Sequence, residues 1–167
     1  RNEELMNKTS EGDWYYQQVD LGFNYRMTEL QAALGISQMK RLDEFVAKRH
    51  ILKRRYDSLF SDFPVITPCQ DSNCYSALHL YPIQLELSKI GKSRNQVFEK
   101  MKNSGIQVNV HYIPIYTHPY YQNLGIKGEN FPIAELYYDR AISIPLFHTM
   151  TFEQQDEVVD VLNKILQ

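Results

Sequence analysis

Three copies of one short pattern limit what this chain can fold into. Thr28-x-x-Gln31, Ser93-x-x-Gln96 and Thr151-x-x-Gln154 each stand just ahead of an apolar, periodic segment. A hydroxyl residue followed three positions later by Gln forms a capping box. The hydroxyl accepts a helix N–H that would otherwise lack a partner, and the Gln side chain accepts the N–H of the cap residue. The spacing predicts helices opening at 28, 93 and 151. Gly105 stands where a C-terminal cap glycine ends the second of these. Pro132 fits the first position of another helix running through Arg140.

Apolar periodicity fills in the rest. Residues 30–36 are apolar or small on nearly every side, which predicts a helix start buried against more than one neighbour. Farther along the same long helix, Leu42, Phe45, Leu52, Tyr56 and Leu59 form a one-sided stripe at spacings of three and four. Pro64 and Pro68 mark its end and a loop. Residues 78–87, 106–113 and 141–144 read as strands, and residues 14–19 have strand character ahead of a turn at Gly22. The helix after Ser93 should bury Val97, Phe98 and Met101. The last helix should bury Val158, Val161, Leu162 and Ile165. Residues 114–124 form a loop rich in proline and tyrosine, with one helical turn. The expected fold class is α/β: a long helix followed by a compact two-layer α+β unit, with three short strands and helices over one face.

Composition excludes several function classes. A chain of 167 residues, 43% hydrophobic and 23% charged, is long enough for one domain with a real core. The net charge of −2 argues against a nucleic-acid surface. The basic run 48–55 is interleaved with apolar residues and reads as a solvated helix face. No apolar run has membrane-spanning length, and nothing resembles a signal peptide, so a cytoplasmic location is expected. Cys69 and Cys74 lack a second Cys or His pair at metal spacing, and free thiols fit best; no metal site is expected. Neither a Gly-x-Gly-x-x-Gly run nor a P-loop is present, so dinucleotide or ATP binding has no support.

Two clusters can carry chemistry. In Gly22-Phe23-Asn24-Tyr25-Arg26-Met27-Thr28, a glycine turn delivers an amide and a guanidinium to a helix start. Helix N-termini favour anions, and Arg adds a forked charge. Asn24 and Arg26 could hold a phosphate; the alternative is a capped surface helix with an Arg ion pair. The second cluster is His111, Tyr112, Tyr116, His118, Tyr120 and Tyr121. Aromatic faces suit sugar rings and nucleobases, and hydroxyl and imidazole edges bond to sugar or diphosphate oxygens. Neighbours on a regular strand face opposite ways, so His111 and Tyr112 could not both face one site there. His79 reads as structural, and His148 has no evident role.

The run Gly22-Phe23-Asn24-Tyr25-Arg26-Met27-Thr28-Glu29-Leu30-Gln31-Ala32-Ala33-Leu34-Gly35, with Gln38 and Leu42, closely resembles the DegT/DnrJ/EryC1/StrS sugar aminotransferases. His79-Leu80-Tyr81-Pro82, Gly105-Ile106, Val110-His111-Tyr112-Ile113-Pro114-Ile115-Tyr116, Ala134-Glu135 and Ser143-Ile144-Pro145-Leu146 follow in the family's order. The resemblance covers almost the whole chain. Within the family, the His-Tyr-Ile-Pro-Ile-Tyr run is most similar to the subgroup of pseudaminic acid biosynthesis. The resemblance implies a fold-type I enzyme using pyridoxal 5'-phosphate (PLP), with a mostly antiparallel sheet in its small domain. It places Asn24 and Arg26 near the PLP phosphate of a partner subunit in a homodimer. The residue types of the second cluster point to substrate contacts at His111, Tyr112 and Tyr116.

No lysine here matches the family's cofactor-bearing motif; Lys8 lacks its context. The expectation is a C-terminal piece of a longer enzyme, inactive alone and with no catalytic residue of its own. Its parts would be 1–27 (end of the large domain and phosphate loop), 28–60 (connecting helix) and 61–167 (small domain). The implied substrates are an amino-acid donor, L-glutamate, and a UDP-linked 4-keto dideoxy sugar. The alternatives are a family member acting on another sugar, such as the GDP-linked precursor of perosamine, and a stand-alone α/β binding module.

Overall fold

A computed structural model describes residues 3–6, 15, 17, 18, 20–23, 25–126 and 131–167. Asn24, Lys8 and much of the expected strand at 14–19 lie outside the described residues. The chain divides into two compact units, Arg1–Lys40 and Arg41–Gln167.

In the first unit, α1 (Glu29–Met39) opens on the expected box. The Thr28 hydroxyl accepts the Gln31 N–H at 3.3 Å, and Gln31 Oε1 accepts the Thr28 N–H at 2.9 Å. No residue of α1 is buried, and Leu30, Leu34 and Ile36 are exposed. The all-round apolar pattern predicts covering neighbours, and the described residues supply none. The long helix expected over 28–60 is also interrupted. Arg41 has φ −111° and ψ 4°, outside helical geometry, and α2 (Leu42–Leu59) begins after it without a side-chain cap. The interruption falls where the all-round pattern gives way to the one-sided stripe.

In the second unit, α2 is followed by β1 (Val65–Ile66), β2 (Tyr81–Leu85), α3 (Leu87–Ile90), α4 (Arg94–Asn103), α5 (Pro119–Asn123), α6 (Pro132–Arg140), β3 (Ala141–Ile144) and α7 (Phe152–Leu166). The capping boxes at Ser93 and Thr151 are both formed. Gly105, at φ +83°, takes the left-handed conformation after α4 that a side chain would resist.

The sheet runs β1-β2-β3 and is antiparallel throughout. Tyr81 pairs with Ile144 and Ile83 with Ile142, so these four side chains share a face. With Leu85 they meet Leu52, Tyr56 and Phe60 from α2 and its end, Val97 and Met101 from α4, and Val158, Leu162 and Ile165 from α7 in one core cluster. Burying each large apolar side chain in such a core contributes about 1.5–3 kcal/mol. Phe98 and Val161 pack at its edge, half-buried.

The strand expected over 106–113 does not form. It shrinks to a single bridge between Asn109 and Ser143. The Asn109 side chain accepts the Val110 N–H at 2.8 Å, taking a donor that a ladder would need. The sheet's third strand is instead β1, two residues between Pro64 and Pro68, too short to show a period.

Candidate functional site

Pro82 lies in the central strand without an N–H, and the sheet accommodates it through Ser143. The two residues pair across β2 and β3. Both main-chain groups of Ser143 turn away from Pro82 to Asn109: Ser143 N–H donates to the Asn109 carbonyl at 2.7 Å, and Asn109 N–H donates to the Ser143 carbonyl at 3.1 Å. The pair is therefore of the type that exchanges no backbone bond, and proline loses nothing there. Alternation along β3 turns the Ser143 side chain away from the core face that Ile142 and Ile144 occupy. There its hydroxyl meets His111 Nδ1 at 2.9 Å. Ser143 is 5% exposed.

This contact stands at a cleft of about 330 Å³, lined by residues that include His79, Gln107, Asn109, His111 and Ser143. The lining offers imidazole, amide and hydroxyl groups and no formal charge, a set suited to hydrogen-bonding a polar ligand. His79 is thus a cleft residue, beyond the structural part its sequence position implies. Ser143 carries no chemical role in the sequence beyond its place in the Ser143-Ile144-Pro145-Leu146 segment; a hydroxyl inside the otherwise apolar strand Ala-Ile-Ser-Ile is the signal that could have found it.

The second cluster divides between locations. Tyr112 is 70% exposed and its ring meets that of His111 edge-on at 4.6 Å. It lines a separate apolar cleft of about 580 Å³ with Pro114, Phe131, Ile133 and Tyr137. Tyr116 is buried, its ring stacked on Phe131 at 5.2 Å, so it builds the wall behind the aromatic surface. Burial, then the negative charge of Glu135, raises its pKa, and it stays a neutral phenol. His118 stands at the N-cap position of α5 without a side-chain capping bond, and Tyr120 and Tyr121 pack edge-on against each other on that helix. His148 packs on Phe45 with ring centroids 3.9 Å apart, which gives it a structural role.

In the first unit, Arg26 is exposed and lines an open groove with Tyr25, Met27, Gln31 and Gly35. A side chain at Gly35 would meet no atom within 4 Å, so the groove has room beside the helix. The capping box occupies the Gln31 and Thr28 N–H groups, which leaves those of Glu29 and Leu30 at the helix start. Glu29 puts a carboxylate in the first turn, which disfavours an anion at this helix start. Arg26 is the one charged side chain among the residues that line this groove.

Among the described residues, no group of three or more His, Cys, Asp or Glu could hold a metal ion, and no helix is long and apolar enough to cross a membrane.

The chain is 37% identical to the spore coat polysaccharide biosynthesis protein SpsC of Bacillus subtilis, over 95% of this chain and 42% of that protein. It is 34% identical to the UDP-4-amino-4,6-dideoxy-N-acetyl-beta-L-altrosamine transaminase of Campylobacter jejuni, over 99% of this chain and 46% of that one. The solved structure of Helicobacter pylori PseC, an aminotransferase involved in pseudoaminic acid biosynthesis, superposes with a TM-score of 0.80 at 30% identity, covering 93% of this chain and 42% of that one. The chain thus spans less than half the length of these relatives. The model of the DegT/DnrJ/EryC1/StrS aminotransferase family matches residues 3–163, nearly end to end, and the chain belongs to that family.

Proposed function

We propose that this chain is the C-terminal part of a PLP-dependent nucleotide-sugar aminotransferase. The enzyme would move an amino group from L-glutamate to the 4-keto carbon of a UDP-linked dideoxy sugar, in the cytoplasm, on the way to pseudaminic acid or a related surface sugar. The observation that carries this reading is the likeness to the Campylobacter UDP-sugar transaminase, which runs through 99% of the chain.

PLP, when bound, supplies the electron sink for exchanging amine and ketone. Arg26 would hold its phosphate, with the Glu29 and Leu30 N–H groups beside it and Asn24 as a further donor. In a homodimer this grip would reach across to the partner's cofactor. Residues 1–27 would belong to the large domain, residues 28–60 would join the domains, and residues 61–167 would form the small domain. The lysine that carries the cofactor would come from outside this chain, so the 167 residues alone would not turn over. His111 would bond to oxygens of the nucleotide sugar, and Tyr112 would offer a ring face to it. Tyr116, buried behind them, would hold Phe131 in place.

The test uses the complete reading frame that encodes this chain, supplied with PLP, L-glutamate and either a UDP-linked or a GDP-linked 4-keto sugar. Release of 2-oxoglutarate with the UDP sugar is the expected result. Turnover restricted to the GDP sugar would move the chain to the perosamine type. No transamination of either sugar, in a protein that retains PLP, would overturn the reading.

A further inference from the structure

Ser143 is a polar side chain in the most enclosed strand of the fold. All four residues of β3 are buried, and the other three are Ala141, Ile142 and Ile144. A buried hydroxyl is costly unless it is bonded. The partner of the Ser143 hydroxyl is His111 Nδ1, at 2.9 Å. The hydroxyl carries one hydrogen, and the imidazole nitrogen can accept or donate. If Nδ1 carried the proton and donated it, the Ser143 hydrogen would have no protein acceptor among the described residues, since the His111 nitrogen is the one partner of its hydroxyl. If the hydroxyl donates instead, both atoms are satisfied and the neutral ring keeps its proton on Nε2. The backbone reinforces this. The two bonds between Ser143 and Asn109, at 2.7 and 3.1 Å, fix the strand against the segment that carries His111 two residues later.

We infer that Ser143 is a positioning residue for His111: its hydroxyl donates to Nδ1, holds the neutral ring as the Nε2–H tautomer, and makes His111 a hydrogen-bond donor toward an oxygen of the bound nucleotide sugar. This rests on the proposed reading of His111 as a substrate contact. The groups of the cleft agree with it. Gln107, Asn109 and His79 line the same 330 Å³ space, so a sugar or phosphate oxygen there would meet several neutral polar groups together. A neutral donor selects an oxygen acceptor without the desolvation cost of a buried cation.

Two measurements test it. Side-chain nitrogen–proton correlation spectra of the nitrogen-15-labelled chain, above the histidine titration range, report which ring nitrogen bears the proton. His111 is identified by the loss of its signals in His111→Gln. The expected result is an Nε2–H pattern in the parent, a mixture of both tautomers in Ser143→Ala, and restoration in Ser143→Thr, which keeps a hydroxyl. An Nδ1–H pattern in the parent, or an unchanged pattern in a folded Ser143→Ala, overturns the inference. In the complete enzyme, Ser143→Ala should raise KM for the nucleotide sugar roughly three- to tenfold, the worth of one hydrogen bond, with kcat little changed. If His111→Ala raises KM and Ser143→Ala does not, the role of Ser143 is lost while the substrate reading stands. If neither moves KM in an enzyme that transaminates normally, the substrate reading of His111 fails and takes this inference with it.

Discussion

The Tyr81 hydroxyl donates to Asp57 Oδ1 at 2.7 Å, and Lys53 Nζ donates to the other carboxylate oxygen at 2.5 Å. Burial raises the Tyr81 pKa, and the bond and charge of Asp57 raise it further. Burial likewise raises that of Tyr56. Folded tyrosines thus hold their protons where unfolded ones begin to lose them, above pH ~10. Their contribution to stability is complete below that pH and is lost as the pH rises beyond it. The slope is about 1.4 kcal/mol per pH unit for each such group. Denaturant midpoints measured from neutral to strongly alkaline pH should hold steady and then fall, and Tyr81→Phe should flatten the fall. A Tyr81→Phe profile parallel to the parent's would remove this account.

Gln155 is wholly buried and donates through Nε2 to the Leu52 carbonyl at 3.0 Å, tying α7 to α2. Gln155→Ala removes the bond and opens a cavity, so it should cost about 2–3 kcal/mol. Gln155→Met keeps most of the volume and removes the buried amide, and should cost less than about 1.5 kcal/mol. Urea titration of both variants distinguishes a bond that packing can replace from one that it cannot. Equal losses would mean that the amide itself is indispensable.

The capping box at Thr151 starts the helix that gives the core Val158, Leu162 and Ile165. Thr151→Ala should destabilise the chain by about 1 kcal/mol, and Thr151→Ser should recover most of that. Thr28→Ala removes the same cap from α1, which buries nothing. It should reduce helical circular dichroism without lowering the main unfolding midpoint. A comparable drop in midpoint for both alanine variants would show that α1 shares the cooperative unit.

These caps were legible because a capping box is complete within four consecutive residues. The same holds for Pro132 and Gly105, whose backbone demands are their own. What stayed hidden depends on distant partners. The segment 106–113 has the composition of a strand, yet it makes a single bridge to Ser143, and the Asn109 side chain takes the Val110 N–H that a longer ladder would use. His111 and Tyr112 announce their chemistry by residue type, yet their separation into two clefts depends on Ser143 and Phe131. The Ser143–His111 contact joins residues 32 apart, so no local pattern could display it. Tyr116 showed the converse limit, an aromatic residue of functional type that packs as wall. The interruption at Arg41 has neither glycine nor proline to signal it.

Arg26 carries the proposed grip on the cofactor phosphate. In the complete enzyme, Arg26→Ala should weaken PLP retention roughly tenfold or more, since a charge-assisted bond to an anion is worth about 1.5–3 kcal/mol. Arg26→Lys should recover only part, because a point charge lacks the planar fork. Cofactor titration followed by absorbance checks both. Unchanged affinity in Arg26→Ala would take the guanidinium out of the site and leave the backbone donors of α1 to explain phosphate binding by themselves.

The exposed face of α1 predicts how the 167-residue chain behaves on its own. Leu30 is 84% exposed, Leu34 63% and Ile36 62%, while Leu21, Phe23, Tyr25 and Met27 ahead of them are exposed as well. So much contiguous apolar surface is rarely left in water by a monomer. The chain should self-associate as its concentration rises. Leu30→Lys with Leu34→Lys should suppress the association. The core cluster draws every member from residues 52–166, so the double variant should unfold at the parent's midpoint. Sedimentation velocity and thermal unfolding read the two outcomes separately. A parent that stays monomeric at high concentration would show that this face is covered by residues within the chain.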